Sequence, residues 1–147
     1  MTAMIKLYEN GESCMFKYYT PQQANKALPD VKRKFDLIVA IRDQIIDMQD
    51  ELQRMIDSNA TLELYMKKKQ ELNAAVSNLY KAIEDVEAMG IMIKSVDESL
   101  LDFPSMRFNE EVWLCWKAGE GEVKFWHGKN EGFAGRKPLP ISDESLV

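Results

Sequence analysis

The chain has 147 residues, of which 46% are hydrophobic and 29% charged, and its formal net charge is −5. This length suits one domain, residues 1–147, and the balance is that of a globular rather than a disordered protein. The acidic excess argues against nucleic acid as the main partner, because phosphate binding needs clustered Lys and Arg. No apolar run is long enough to cross a membrane and no signal-peptide pattern is present, so we expect a cytoplasmic protein without a membrane partner.

Residues 1–19 predict a β-hairpin. Residues 4–8 and 13–19 are rich in aliphatic and aromatic side chains and flank Asn10-Gly11. This dipeptide suits the positive φ angles of a two-residue turn. We expect the hairpin to form one small antiparallel sheet together with strands from the C-terminal part of the chain.

Residues 20–90 predict a helical hairpin. Its start is marked by Thr20 as N-cap, Pro21 at the first helical position and Gln23 three residues after the cap, a combination that satisfies the free amide groups of a helix N-terminus. Pro29 removes one backbone hydrogen bond, so it is expected to kink this helix or to split off a short first helix.

Both predicted helices carry an apolar stripe with coiled-coil-like spacing. The first stripe consists of Ala24, Ala27, Val31, Ile38, Ile41, Ile45, Met48, Leu52 and Met55. The second consists of Leu62, Tyr65, Leu72, Val76, Leu79, Ile83 and Val86. Turn chemistry at Asp57-Ser58-Asn59 separates the two and Gly90 ends the second as a C-cap, which predicts an antiparallel pair.

The helices predict association between two copies of the chain. Each would be about 30 residues or roughly 45 Å long, more than a globule of this size can cover. The first also carries Leu37, Val39 and Ile46 outside its stripe. We therefore predict a homodimer in which two hairpins form a four-helix bundle; the alternative is a monomer whose hairpin folds over its own sheet. Residues 67–69 are all lysine, and we interpret this run as a solvated helix face.

Residues 91–138 change to a period of two and predict a β-meander followed by a Gly/Arg loop. Ile91, Ile93 and the segment "SLLDFP" indicate one or two short strands, with Pro104 at an edge or an end. Residues 139–147 read as a polar tail.

The segments 112–117 and 122–127 predict a tight hairpin within this meander. If Lys117 faces Glu122, the register places His127 on one face with the apolar side chains of 112, 114 and 116. The other face then carries Trp113 opposite Trp126 as an aromatic pair.

His127 is the only histidine, and three interpretations of it stay open. It is a structural histidine satisfied by a carbonyl and a carboxylate, a general base, or a metal ligand. The catalytic candidates are His127, Asp102 and Glu122, and the metal-ligand candidates are His127, Cys115 and Asp102. A zinc site of three histidines is excluded, whereas a mixed site is not.

The segment "GFAGRKP" at 132–138 gives the candidate ligand-binding residues. Gly132 and Gly135 permit a close backbone approach, Arg136 offers a fork to a small anionic ligand, and Trp126 completes the set. In one interpretation Arg136 forms an anion pocket with His127. In the other, Phe133 fills the core and Arg136 pairs with Asp102 or with the carboxylate of residue 122.

Four segments carry a family resemblance: "YTPQQANKALPDV", "DFP" at 102–104, "LCWKAGEGEVKFWH" at 114–127 and "GFAGR" at 132–136. From about Tyr18 to Leu139, the chain resembles the prokaryotic domain of unknown function family 2203. Lys117 stands where we expect that family to have Arg. The resemblance implies a cytoplasmic bacterial or archaeal protein, and it brings no catalytic residues.

Together these features predict an α+β fold, with a long helical hairpin and a small antiparallel sheet. The function we expect is that of a dimeric interaction or ligand-binding module. The alternative is a small enzyme or a metal- or anion-binding protein that uses a pocket around His127 and Arg136. The sequence identifies no cofactor.

Overall fold

The structure is a computed structural model that describes the backbone of Ala3–Leu7 and Ser13–Lys17 and the whole of residues 18–139. It is an α+β fold in which two packed helices precede a five-stranded antiparallel sheet. The chain forms two compact units. One comprises Met1–Val31 and Val86–Val147, and the other comprises Lys32–Asp85.

The first helix, α1, spans Pro21–Asp57 and begins at the predicted capping box. The Gln23 amide donates to Thr20 Oγ1 and the Thr20 amide donates to Gln23 Oε1, both at 3.1 Å. The helix continues through Pro29, so the predicted short first helix is wrong. Pro29 costs the helix one hydrogen bond, and the burial of Leu28 and Val31 on either side of it offsets that loss.

The second helix, α2, spans Leu62–Glu87, and a tight turn connects it to α1. Asn59 adopts a positive φ of 57°, and the Ala60 amide donates to the Met55 carbonyl at 2.9 Å. Thr61 Oγ1 accepts from the Leu64 amide at 3.3 Å as a cap for α2. The predicted helical hairpin is confirmed.

The unit Lys32–Asp85 has a core of its own between the two helices. Its buried side chains are Ile45, Leu52, Leu72 and Ala75. Partly buried apolar side chains surround them: Ile41, Met48, Met55, Tyr65, Val76 and Leu79. The middle parts of the two predicted stripes therefore form this interface, Ile41 to Met55 on α1 and Tyr65 to Leu79 on α2. Leu62, at the start of the second stripe, is 74% exposed. Lys68, from the predicted solvated run, forms a 2.6 Å ion pair with Glu51 of α1.

The sheet of the other unit is a meander of strands in chain order. Its members are β3 (Met92–Ser95), β4 (Leu100–Arg107), β5 (Glu110–Lys117), β6 (Phe125–Gly128) and β7 (Lys137–Pro138). The N-terminal strands β1 (Ala3–Leu7) and β2 (Ser13–Lys17) pair with each other in a separate two-stranded sheet. The prediction that N- and C-terminal hairpins build one sheet is therefore wrong, because consecutive strands pair locally. The predicted Asn10-Gly11 turn and residues 140–147 of the predicted tail lie outside the described residues.

Pro104 lies inside β4 rather than at its end. β3 pairs only with residues 100–102 of β4, so no strand faces Pro104 on that side. Instead, the Tyr19 amide donates to the Pro104 carbonyl at 2.7 Å. A proline is tolerated there because no ladder hydrogen bond from its nitrogen is needed.

The predicted register of the β5–β6 hairpin is wrong by one residue. The structure pairs Trp113 with His127 and Leu114 with Trp126. A shift of one residue moves each side chain of β6 to the other face, so the predicted Trp113–Trp126 pair does not form. His127 shares a face with Trp113 and Cys115 instead of with Val112, Leu114 and Trp116.

An asparagine of α1 accounts for this shift. Asn25 Oδ1 accepts from the Val123 amide at 2.6 Å, and Asn25 Nδ2 donates to the Val123 carbonyl at 3.4 Å. These bonds satisfy the backbone that a tight hairpin would have paired with β5. β6 therefore begins at Phe125, and the predicted pair of Lys117 with Glu122 does not form.

Candidate functional site

Three adjacent strands bring Asp102, Cys115 and His127 together. Asp102 of β4 lies directly opposite Cys115 of β5, and His127 of β6 lies opposite Trp113, two residues from Cys115 on the same face. All three are buried, with 0%, 2% and 1% of their surface exposed. One ligand atom from each lies within 4.8 Å of the other two. These are the three residues predicted as metal-ligand candidates.

Two hydrogen bonds fix the imidazole of His127. Nδ1 lies 2.9 Å from the Gly128 carbonyl oxygen, which can only accept, so Nδ1 carries a proton. Nε2 lies 3.1 Å from Asp102 Oδ2. This second contact needs one proton, held either by the imidazole or by the carboxyl group. Nε2 is therefore the ring nitrogen that a cation could engage after displacing that proton.

The carboxyl group of Asp102 is incompletely satisfied. Its Oδ1 is buried and has no hydrogen-bond partner, although buried polar atoms are nearly always paired. Loss of hydration raises the pKa of Asp102, and the nearby His127 and a hydrogen bond with the Cys115 thiol oppose that rise. An unpaired acceptor in a cluster of candidate ligands is a position where a cation would gain an oxygen ligand.

The thiol of Cys115 stays protonated at neutral pH in the absence of a cation. Burial raises its pKa to about 12, and the charge of Asp102 adds to the rise, while Arg136 opposes it. Such a thiol is a poor free nucleophile at neutral pH. A divalent ion beside it would reverse the local potential and favour the thiolate.

A small cavity opens beside this cluster. Its volume is about 110 Å³, and the lining residues outside the cluster are Lys94, Leu100, Gly132 and Phe133. Lys94 Nζ lies 3.9 Å from Asp102 Oδ2 and 5.6 Å from the ring centre of Trp113. Sequence reasoning did not find Lys94. Lys94 reaches the cavity through the pairing of β3 with β4, which sets Met92, two residues before it, opposite Asp102. No local sequence pattern marks that pairing.

Arg136 does not line this cavity. Its Nη2 atom donates to both carboxylate oxygens of Glu120, at 2.6 and 2.7 Å, rather than to Asp102 or Glu122. The guanidinium carbon lies 3.9 Å from the ring centre of Phe125 and 4.6 Å from that of Phe133. Arg136 is thus paired and stacked, and it supports the ring of Phe133 at the cavity wall.

The other candidate residues lie elsewhere. Trp126 is on the opposite face of the sheet from His127, where Arg107 stacks on its ring at 4.4 Å. Gly135 ends a short 3₁₀ turn, Phe133–Gly135. Glu122 is exposed and lines a different pocket, next to Asn25. Of the predicted ligand-binding residues, the structure brings only Gly132 to the cavity that contains His127.

The comparison with known protein families covers most of the chain. A family described as "Uncharacterized conserved protein (DUF2203)" matches residues 17–139. The chain belongs to the DUF2203 family. No curated protein and no solved structure matches this family member. Membership of DUF2203 indicates no activity. Within the described residues, no helix combines the length and the apolar character needed to cross a membrane.

Proposed function

We propose that the protein binds one divalent transition-metal ion through Asp102, Cys115 and His127. The observation that carries this proposal is the buried, unpaired Oδ1 of Asp102 within a cluster of three metal-ligand side chains. Imidazole nitrogen, thiolate sulfur and carboxylate oxygen are the three protein donors used by zinc and by similar ions.

The cluster is close to the dimensions of a tetrahedral site. Ligand atoms of such a site are separated by roughly 3.3–3.6 Å, given metal–ligand bonds of about 2.0–2.3 Å. Nε2 of His127 already lies 3.1 Å from Oδ2 of the Asp102 carboxyl group, and one ligand atom of each residue lies within 4.8 Å of the other two. Rotation of that carboxyl group would turn the unpaired Oδ1 toward the ion. Small side-chain rotations would therefore suffice to bring the third donor into range.

Charge supports the same assignment. A divalent ion balances one thiolate and one carboxylate, so the loaded cluster is neutral, as burial in a low-dielectric interior favours. The hydrogen bond from Nδ1 to the Gly128 carbonyl would orient the ring and leave Nε2 for the metal, as is typical of histidine ligands. Three protein ligands leave a fourth position toward the cavity, the arrangement of sites that act on a bound molecule. A thiol ligand also fits the reducing conditions of the cytoplasm.

Titration with Co²⁺ followed by visible and near-ultraviolet absorption tests this site. We expect one ion per chain, a thiolate-to-cobalt charge-transfer band and displacement by Zn²⁺. The nearly isosteric variants Cys115→Ser and Asp102→Asn should weaken binding about 10-fold or more, and the matched control Cys14→Ser should not. Circular dichroism would verify that each variant is folded. Unchanged cobalt binding in Cys115→Ser, or no stoichiometric binding by the wild type, would refute the site.

We also propose that the helical hairpin forms a homodimer. Near its turn lies a tip patch formed by Ile56, Leu62 and Met66, whose side chains are 55%, 74% and 47% exposed. Ile56 and Leu62 also line a pocket of about 370 Å³. Exposed apolar groups next to one another favour contact with another surface. A second copy is the simplest partner, because a two-fold axis lets one patch cover itself.

A further inference from the structure

We propose that Lys94 and the fourth coordination position together bind a small carboxylate anion. This inference rests on the proposed metal site and extends it to the class of ligand. It starts from the cavity, because a volume of about 110 Å³ is roughly that of three or four water molecules in the liquid. Anions of the size of formate or acetate fit this space, so the cavity favours a short carboxylate over an aromatic one.

The charges around the cavity select an anion. With the metal bound, the cluster of Asp102, Cys115 and His127 is neutral, and Lys94 is the only charged side chain that remains among the described lining residues. The rest of the lining is the side chains of Leu100 and Phe133 and the backbone of Gly132. A partly enclosed cavity with one uncompensated positive charge favours a ligand with one negative charge.

The position of Lys94 suits this role. Its Nζ lies 3.9 Å from Asp102 Oδ2, beyond hydrogen-bond distance but close enough to reach a group bound beside that carboxylate. Its side chain is 42% exposed, so the ammonium group can turn toward the cavity without a large change in burial. Once the metal engages the carboxylate of Asp102, a bound anion becomes the nearest partner for the ammonium group.

The carboxylate would therefore bind at two points. One of its oxygens takes the fourth metal position and the other accepts a charge-assisted hydrogen bond from Lys94 Nζ. The ring of Phe133, held by Arg136, closes the apolar side of the cavity around the short carbon chain. Arg136 acts here through Phe133, because its own charge is engaged by Glu120.

Acetate binding to the cobalt-loaded protein tests this inference through the visible spectrum of the ion. Acetate should change the cobalt bands of the wild type in a saturable manner. Lys94→Gln should weaken acetate binding at least about tenfold while cobalt affinity is retained, since a hydrogen bond to a charged group is lost. Lys94→Arg should restore most of the affinity. Lys129→Gln is the matched control for net charge, because Lys129 is a surface residue paired with Glu111.

The outcomes separate the two proposals. If cobalt does not bind, the metal site and this inference both fail. If cobalt binds but acetate leaves its spectrum unchanged, or binds equally well to wild type and Lys94→Gln, the metal site stands and the inference is overturned. Equal binding of benzoate and acetate would overturn the size limit set by the cavity and, with it, the assignment of this cavity as the binding site.

Discussion

Tyr18 is expected to make the protein less stable as the pH rises into the alkaline range. Its hydroxyl donates to Glu111 Oε1 at 2.6 Å, and the side chain is 5% exposed. Burial raises the pKa of Tyr18 to about 12, and the hydrogen bond and charge of Glu111 add to the rise. The neutral phenol is therefore favoured in the folded state over the unfolded state, in which tyrosine has a pKa of about 10.

The sign of this effect follows from linkage. A folded pKa above the unfolded pKa gives stability that is complete below pH ~10 and is lost as the pH rises toward 12. Over that interval the unfolding free energy of the wild type should fall more steeply than that of Tyr18→Phe, by up to about 1.4 kcal/mol per pH unit. Urea unfolding between pH 8 and 12 measures the difference. Tyr80→Phe, at a 64% exposed tyrosine, is the control, and identical slopes for wild type and Tyr18→Phe would contradict the prediction.

The sequence predicts the three residues of the proposed metal site but not the residues around them. Asp102, Cys115 and His127 could be selected because their side chains are metal donors and are uncommon in the C-terminal part of the chain. Lys94 could not be selected, because lysine is abundant and only the pairing of β3 with β4 brings it to the cavity. Glu120 could not be selected either, because only the loop conformation brings it to Arg136. The chemistry of the side chains limits which residues are candidates for a site, and the strand pairing determines which candidates lie close together.

Asn25 controls the local structure of the segment before β6. Val123 is 3% exposed, and its amide has a 2.6 Å bond to Asn25 Oδ1. Asn25→Ala should lower the unfolding free energy by about 1–3 kcal/mol, because a buried backbone amide loses its acceptor. Asn25→Asp keeps the oxygen that accepts from the Val123 amide and loses the amide group that donates to the Val123 carbonyl. Its unfolding free energy should therefore fall by less than that of Asn25→Ala. Urea unfolding of the three proteins measures both differences.

A matched control for these variants is Asn73→Ala, at an exposed position of α2, which should change stability by less than about 0.5 kcal/mol. Equal stability of wild type and Asn25→Ala would mean that the segment 122–124 has another source of order. Equal losses in Asn25→Ala and Asn25→Asp would show that the acceptor is not the important half of the interaction.

Among the elements, those with local signals were predictable and those with distant partners were not. The capping box of α1 and the two apolar stripes depend on residues three or four apart, so the helical hairpin followed from the sequence. The register of β5 and β6 depends on Asn25, which lies 98 positions from Val123. No pattern within residues 112–127 contains that information, and the local rule for tight hairpins therefore gave a register wrong by one residue.

The proposed metal site and the proposed dimer contact belong to different units of the molecule. Asp102, Cys115 and His127 are in the unit that includes Val86–Val147, whereas the tip patch is within Lys32–Asp85. The free-energy effects of mutations at distant sites that share no partners are usually additive. The proposed dimerisation and metal binding should therefore be separable by mutation, which gives each one an internal control.

Substitution of the tip patch should produce a folded monomer. Ile56→Glu combined with Leu62→Glu places two charges at positions that are 55% and 74% exposed, so the helices can remain intact. Because burying each aliphatic side chain contributes about 1.5–3 kcal/mol, we expect dimerisation to weaken at least about a hundredfold. Light scattering across micromolar concentrations should show a dimer mass for the wild type and a monomer mass for the double variant.

Two controls distinguish a contact surface from a general effect of charge or folding. Gln70→Glu adds a negative charge at an exposed position of α2 and should leave the dimer unchanged. Cys115→Ser should lose metal but remain dimeric, and the double variant should bind cobalt as the wild type does. A wild type of one-chain mass would refute the dimer. A double variant that stays dimeric would place the contact elsewhere on the hairpin, where Leu37, Ile46 and Tyr80 are also exposed.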